Sequence, residues 1–325
     1  MKNKKRVLVL GASGFLGYNI FNHLSKREDL DVHGTYLENS YGRLNLTKDS
    51  ERLTRIDLTK EESVQFVTTG YDVVIQMAAC STNAKDALNT PYIQVTPNMV
   101  MNSWLFQAAF DNKVGQVIFP SCTVMYQGKD TPYREGDADF DALEGTYDGV
   151  GCMKMASEKF AKFFARLGRT KFTAIRHSNI YGPHDRFDPD RSHVFGATIR
   201  KVLESKDGKV VVWGQGKEVR DFLYVDDFVR FVEMVIDQQD YKFDVFNLGS
   251  DHPIKIGELV QRVIDLSGKN LEIVYDPSGP TLGTKISIDS SKAKNKFFWN
   301  NKTSLGVGIS KTIDWYRQNI LKEGQ

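Results

Sequence analysis

The segment Gly11-Ala12-Ser13-Gly14-Phe15-Leu16-Gly17 directly follows the apolar run Val7 to Leu10 and opens an amphipathic stretch from Gly14 to Lys26. Glycines at this spacing permit a tight turn and a close backbone approach, so main-chain N–H groups and a helix N-terminus can meet a pyrophosphate. Strand, turn and helix each fall where a dinucleotide needs them. After the next apolar run, Tyr36-Leu37-Glu38-Asn39 supplies an acid that can bond both ribose hydroxyls of NAD and repel the 2′-phosphate of NADP. Glu38 therefore points to NAD, while Arg43 nearby weighs the other way. Arg176, Arg220 and Lys285, with the neutral donor Asn179, are further groups suited to phosphate oxygens. The competing reading of Arg220 is a surface ion pair with Asp226 or Asp227.

These groups need a scaffold. Short apolar runs (Val7 to Leu10, Asp31 to Leu37, Asp72 to Ala79, Gln116 to Phe119, Phe172 to Ile175) alternate with helical stretches at Gly14 to Lys26, Asn98 to Asn112 and Lys154 to Leu167. Short buried strands separated by helices predict an α/β fold, a Rossmann-type doubly wound parallel sheet. Beyond residue 180 the pattern changes. Asn179 to Ser192 reads as a long ordered loop. Val194 to Leu203, Val210 to Trp213, Asp226 to Asp237, Val245 to Leu248, Ile256 to Leu266 and a last helix near Ser310 to Asn319 form a smaller mixed α/β set. The expected division is a NAD-binding domain over residues 1–180, with later chain crossings back to it, and a substrate lobe over 181–325.

The chain has 325 residues, with 43 Lys+Arg against 41 Asp+Glu, so a net charge of +2 gives no polybasic surface for nucleic acid. Cys80, Cys122 and Cys152 form neither a disulfide framework nor a paired metal-ligand spacing and suit a reducing compartment. The four-residue apolar run near the N-terminus is too short for a secretory core or a membrane span. A cytoplasmic protein with no membrane partner is expected.

Further segments carry a resemblance. Asp57-Leu58-Thr59, Met77-Ala78-Ala79-Cys80, Arg176-His177-Ser178-Asn179-Ile180-Tyr181-Gly182-Pro183 and Arg220-Asp221-Phe222-Leu223-Tyr224-Val225-Asp226-Asp227 follow the glycine turn in order. Together they resemble the extended short-chain dehydrogenase/reductases, the NAD-dependent epimerase/dehydratase family, over about residues 5 to 250. The resemblance implies that Asp57 and Leu58 hold the adenine and that Met77, Ala78 and Ala79 lie along the cofactor. Within the family, Tyr181 to Asp185, Ser192-His193-Val194 and Val211-Val212-Trp213-Gly214 look like the enzymes that modify GDP-sugars, GDP-fucose synthase in particular. That likeness makes a GDP-sugar the expected substrate, with Arg176, Asn179, His193, Arg220 and Lys285 as its binding residues. It also implies a homodimer, built on the helices Asn98 to Asn112 and Lys154 to Leu167.

Family members oxidise a sugar hydroxyl with a tyrosine that takes the proton and a lysine four residues on that bonds the nicotinamide ribose and lowers the tyrosine pKa. None of the 13 tyrosines here has lysine at the fourth position after it. Val150 stands in the tyrosine position, whereas Lys154 and Glu158 are kept. Tyr147, three residues earlier, is a possible substitute. The family's catalytic Ser/Thr falls on Cys122, with Thr123 adjacent, so Lys154, Thr123 and Cys122 are the candidate catalytic residues. The epimerase acid/base cysteine falls on Val124, while its histidine partner survives as His193.

Epimerisation needs two competent proton groups beside a ketone, and a dehydratase would show Thr-Asp-Glu where this chain has Cys122-Thr123-Val124. Oxidation at C4 needs hydride geometry and one proton exit. The expected activity is NAD-dependent oxidation of a GDP-sugar to a 4-keto intermediate. It resembles the GDP-heptose 4-dehydrogenases of bacterial capsule pathways, with GDP-D-glycero-α-D-manno-heptose as the implied substrate. The alternatives are a non-catalytic NAD and sugar-nucleotide binding protein, and a GDP-4-keto-sugar epimerase or reductase.

Overall fold

The apolar runs assemble into one seven-stranded parallel sheet in the computed structural model, which describes residues 4–39, 42–81, 89–127, 132–188, 192–279 and 285–321. In chain order the strands are β1 (Lys5–Leu10), β2 (Leu30–Tyr36), β3 (Leu53–Arg55), β4 (Val73–Gln76), β5 (Gln116–Cys122), β6 (Lys171–His177), β7 (Asn179–Tyr181), β8 (Lys209–Trp213), β9 (Val219–Arg220), β10 (Phe222–Tyr224), β11 (Phe243–Leu248), β12 (Ile254–Lys255) and β13 (Glu272–Asp276). The large sheet runs β3-β2-β1-β4-β5-β6-β11, and every neighbouring pair is parallel. Both faces are covered, so a central strand such as β1 buries Val7, Leu8, Val9 and Leu10 in succession rather than alternating.

The helices are α1 (Phe15–Leu24), α2 (Glu61–Val67), α3 (Val95–Asp111), α4 (Asp148–Leu167), α5 (Val194–Glu204), α6 (Val225–Gln238), α7 (Ile256–Ser267), α8 (Ser291–Phe297) and α9 (Leu305–Tyr316). One face of the sheet packs α2, α3 and α4 through Val64, Leu105, Phe106 and Ala161. The other packs α1 and α6 through Ile20, Phe21, Phe228 and Val232. That same apolar cluster continues into Phe195, Leu259 and Tyr316 of the later helices, so the cofactor and substrate ends share one core.

The second half adds three small sheets, β7 with β10, β9 with β12 and β8 with β13, and returns β11 to the large sheet beside β6. Several boundaries differ from expectation. The segment Asn179 to Ser192 is not all loop, because residues 179–181 pair with β10; residues 189–191 lie outside the described residues. Helix α4 starts at Asp148, which places Val150 inside it, and α9 occupies 305–316 rather than 310–319. The short β3, α2 and α8 have too few residues for periodicity to reveal.

Candidate active site

The glycine turn sits at the C-terminal edge of the large sheet, where doubly wound folds bind their ligands. Gly11 has φ +74, and a Cβ there would lie 2.6 Å from the Cα of Ala78; at Gly17 a Cβ would lie 2.2 Å from the carbonyl oxygen of Gly11. Only hydrogen fits either place. The turn is tied down by Gly11 N–H donating to Thr35 Oγ1 at 3.1 Å, Ala12 N–H to Thr35 O at 2.7 Å and Gly14 N–H to Gly11 O at 3.0 Å. Helix α1 begins with no side-chain cap and no acid in its first turn, so the N–H groups around Phe15 and Leu16 suit an anion. These residues fit a dinucleotide pyrophosphate.

Glu38 lies exposed just past β2, where a ribose would be met. Arg43 is engaged elsewhere: its guanidinium donates to the carbonyls of Ser13 at 3.0 Å, His184 at 2.9 Å and Asp185 at 3.4 Å, clamping the turn to the loop after β7. Asp57 Oδ1 accepts from Thr59 N at 3.0 Å and Thr59 Oγ1 at 2.7 Å, bonds that hold its carboxyl below the usual range. Leu58 and Met77 are buried, while Ala78 and Ala79 emerge after β4.

A buried polar chain links this turn to α4. Ala78 N–H donates to Gln76 Oε1 at 3.1 Å, Gln76 Nε2 to Asn102 Oδ1 at 3.3 Å, Asn102 Nδ2 to Ser157 Oγ at 3.2 Å, and Ser157 Oγ to Met153 O at 2.9 Å. Three elements are thereby registered against one another beside Lys154. Lys154 Nζ donates to Pro120 O at 2.9 Å near the end of β5, and burial pulls its pKa down. The Cys122 thiol, pushed up by burial, feels the Lys154 cation. Thr123 is buried, its carbonyl accepting from Tyr126 N–H at 3.1 Å. Val150, 8% exposed, supplies no proton-transfer group. Tyr147 precedes α4, half-buried, with its pKa raised by burial and with Arg220, Glu218 and Cys122 as electrostatic neighbours.

Three of the five expected substrate residues come together. Asn179 Nδ2 donates to Asp221 O at 3.1 Å, Asp221 follows Arg220 at the end of β9, and Lys285 bridges Val219 on that strand. Arg220 does pair with an acid, but it is Glu218 at 3.1 Å and not Asp226 or Asp227. His193 caps the start of α5, and the atoms packed around its ring lower its pKa.

Arg176, expected at the phosphate, lies elsewhere. It is 5% exposed, and its Nε and Nη2 donate to Glu158 Oε1 at 2.9 Å and Oε2 at 2.6 Å, while Nη1 donates to the Tyr126 hydroxyl at 2.9 Å and Glu135 O at 2.8 Å. Burial works against this cation, but the Glu158 carboxylate outweighs it and raises the pKa. The fork is spent inside the protein, locking β6 to α4, and does not reach a phosphate.

A profile of the NAD dependent epimerase/dehydratase family matches residues 7–249. The chain belongs to that family. NAD is therefore its cofactor, in agreement with the built turn, Glu38 and the engaged Arg43. The GDP-L-fucose synthase of Sinorhizobium fredii is 29% identical over 97% of this chain and 96% of its own. That of Escherichia coli is 27% identical over 98% of each chain. Among solved structures, the UDP-glucose 4-epimerase of Thermotoga maritima with UDP-glucose superimposes with a TM-score of 0.84 at 25% identity, covering 97% of this chain and 99% of that one.

Two features of this family member leave no local signal in the sequence. Glu158 stands at a motif position along the chain, and only the fold makes it the paired carboxylate that the buried Arg176 demands. His177 lies inside the Arg176 to Pro183 segment, where no spacing along the chain assigns it a role. It is the register neighbour of Cys122 across β5 and β6, a relation invisible in one dimension.

Proposed function

We propose that this enzyme oxidises the C4 hydroxyl of a GDP-sugar to the 4-keto sugar, with GDP-D-glycero-α-D-manno-heptose as the leading substrate. The observation that carries the reading is the retention of Lys154, hydrogen-bonded at the strand end, beside apolar residues at 150 and 124. NAD, when bound, supplies the hydride acceptor. Lys154 retains donors to hold the nicotinamide ribose. Asn179, Arg220 and Lys285 meet the diphosphate from one side, and the buried Gln76-Asn102-Ser157 chain holds the cofactor turn and α4 at fixed separation. C4 oxidation requires a single proton exit, whereas epimerisation at two carbons needs acid/base groups that Val124 and Val150 cannot provide. The full-length GDP-L-fucose synthase relatives favour guanine as the base. We further propose a cytoplasmic homodimer: α4 exposes Phe160, Phe163 and Leu167 on one stripe.

Incubation with GDP-D-glycero-α-D-manno-heptose and NAD, followed by mass spectrometry, is expected to yield a product lighter by two hydrogens. Failure to form it, even with an oxidant that recycles NADH, overturns the reading.

A further inference from the structure

We infer that His177 is the proton acceptor that replaces the absent tyrosine: its Nε2 takes the proton of the substrate hydroxyl as the hydride leaves. The inference rests on the dehydrogenase reading above. His177 ends β6 at the C-terminal edge of the sheet, in register with Cys122 at the end of β5. Parallel register neighbours project to the same face, so thiol and imidazole lie side by side at the strand ends. One face of the ring packs edge-on against Phe228, with centroids 5.7 Å apart. Nδ1 lies 2.8 Å from Ser178 O. A carbonyl oxygen only accepts, so Nδ1 carries the hydrogen and the neutral ring presents an unshared pair at Nε2. Among the described residues Nε2 has no hydrogen-bond partner. The residue is half-buried at the sheet edge, and the protein leaves Nε2 unbonded.

The protonation states of the surrounding groups leave few other acceptors. Burial raises the pKa of both the Cys122 thiol and the Tyr147 hydroxyl, so each keeps its proton at neutral pH. Lys154 is a donor already bonded to Pro120 O. His177 is different: burial lowers its pKa to about 4, and Lys154 from α4 and His193 before α5 both oppose its charged form. It is therefore unprotonated and ready to accept. His193 is also neutral and close enough to bear on the charge of His177, but it stands at the start of α5 and not at a strand end, so the test includes it.

In the step itself the C4–H bond yields its electron pair and hydrogen as hydride to the nicotinamide. The O–H pair becomes the second C–O bond, and the hydroxyl proton goes to Nε2. The resulting imidazolium releases the proton to water. A pKa of about 4 suits a weak base, but a bound diphosphate brings negative charge that favours the imidazolium and moves its pKa toward neutrality.

The test compares wild type with His177→Gln and His193→Gln. His177→Gln is expected to lower kcat by about 100-fold or more, with KM and NAD binding unchanged and the acidic limb of the kcat–pH profile lost. Turnover within about threefold of wild type with an unaltered profile overturns the inference, as does loss of that limb in His193→Gln instead. A wild-type protein that forms no 4-keto sugar overturns the proposed function and this step with it. The imidazole of the wild-type protein gives a reading that needs no variant. Its ¹⁵N shifts at pH 7 should show protonated Nδ1 and bare Nε2, with the pKa rising when NAD and GDP are added. A protonated Nε2 overturns the assignment.

Discussion

Val150 lies one helical turn before Lys154, so a tyrosine there would share its helix face. Val150→Tyr is expected to raise turnover on the GDP-sugar by about tenfold or more, because a phenol beside an ammonium is a competent base. Steady-state kinetics check this; a variant that stays inactive with an inactive wild type favours the binding-protein reading. The Glu158–Arg176 pair makes a second prediction. Glu158→Gln leaves a buried guanidinium without its countercharge and should cost about 3–5 kcal/mol in denaturant unfolding, with little change in nucleotide affinity for the folded fraction. A selective loss of nucleotide affinity at unchanged stability would return Arg176 to the phosphate site. At this scale Lys154, Cys122 and the glycine turn were legible, since each belongs to a local motif. The partners of Arg176 and Arg43 were not, because they come from segments far apart in sequence.

The element that most depends on a single atom count is the β1–α1 turn. Gly17→Ala forces a methyl against the Gly11 carbonyl, so α1 must retreat from β1. Overpacking of this kind costs about 1–3 kcal/mol, and NAD affinity is expected to fall about tenfold or more, read by calorimetric titration. Long helices such as α3 and α4 announced themselves by their apolar faces. Their starts did not: α4 begins before any apolar residue, its first turn carrying Asp148 beside the helix N-terminus. Strand β7 escaped because three residues show no period and their pairing with β10 is non-local.

Two predictions concern the molecule as a whole. The buried Asp185 carboxyl is pushed up to about 7, mainly by burial, whereas burial takes His177 and His184 down to about 4. A raised acid pKa gives stability that is complete below its unfolded value and lost as pH rises through about 7. The depressed histidines give stability that is present above their unfolded value and lost as pH falls through about 4. Thermal stability is therefore expected to peak between these limits. Asp185→Asn, which keeps an oxygen for the Arg186 N–H, should raise Tm more at pH 8 than at pH 5, the gain shrinking further as pH falls toward the unfolded carboxyl value. For assembly, light scattering at micromolar concentration is expected to give a dimer for wild type and a monomer for Phe163→Glu, whose charge would lie on the exposed α4 stripe.

The amino-acid sequence by itself determined the parallel α/β fold, the dinucleotide turn and the absence of the usual tyrosine, because each is written in contiguous residues or in a local period. Only the tertiary structure decided that Arg176 belongs to the interior, that Arg43 clamps the cofactor turn, and that His177 stands beside Cys122. Those relations come from strand register and buried charge pairing, which join residues across the chain and leave no periodic trace along it.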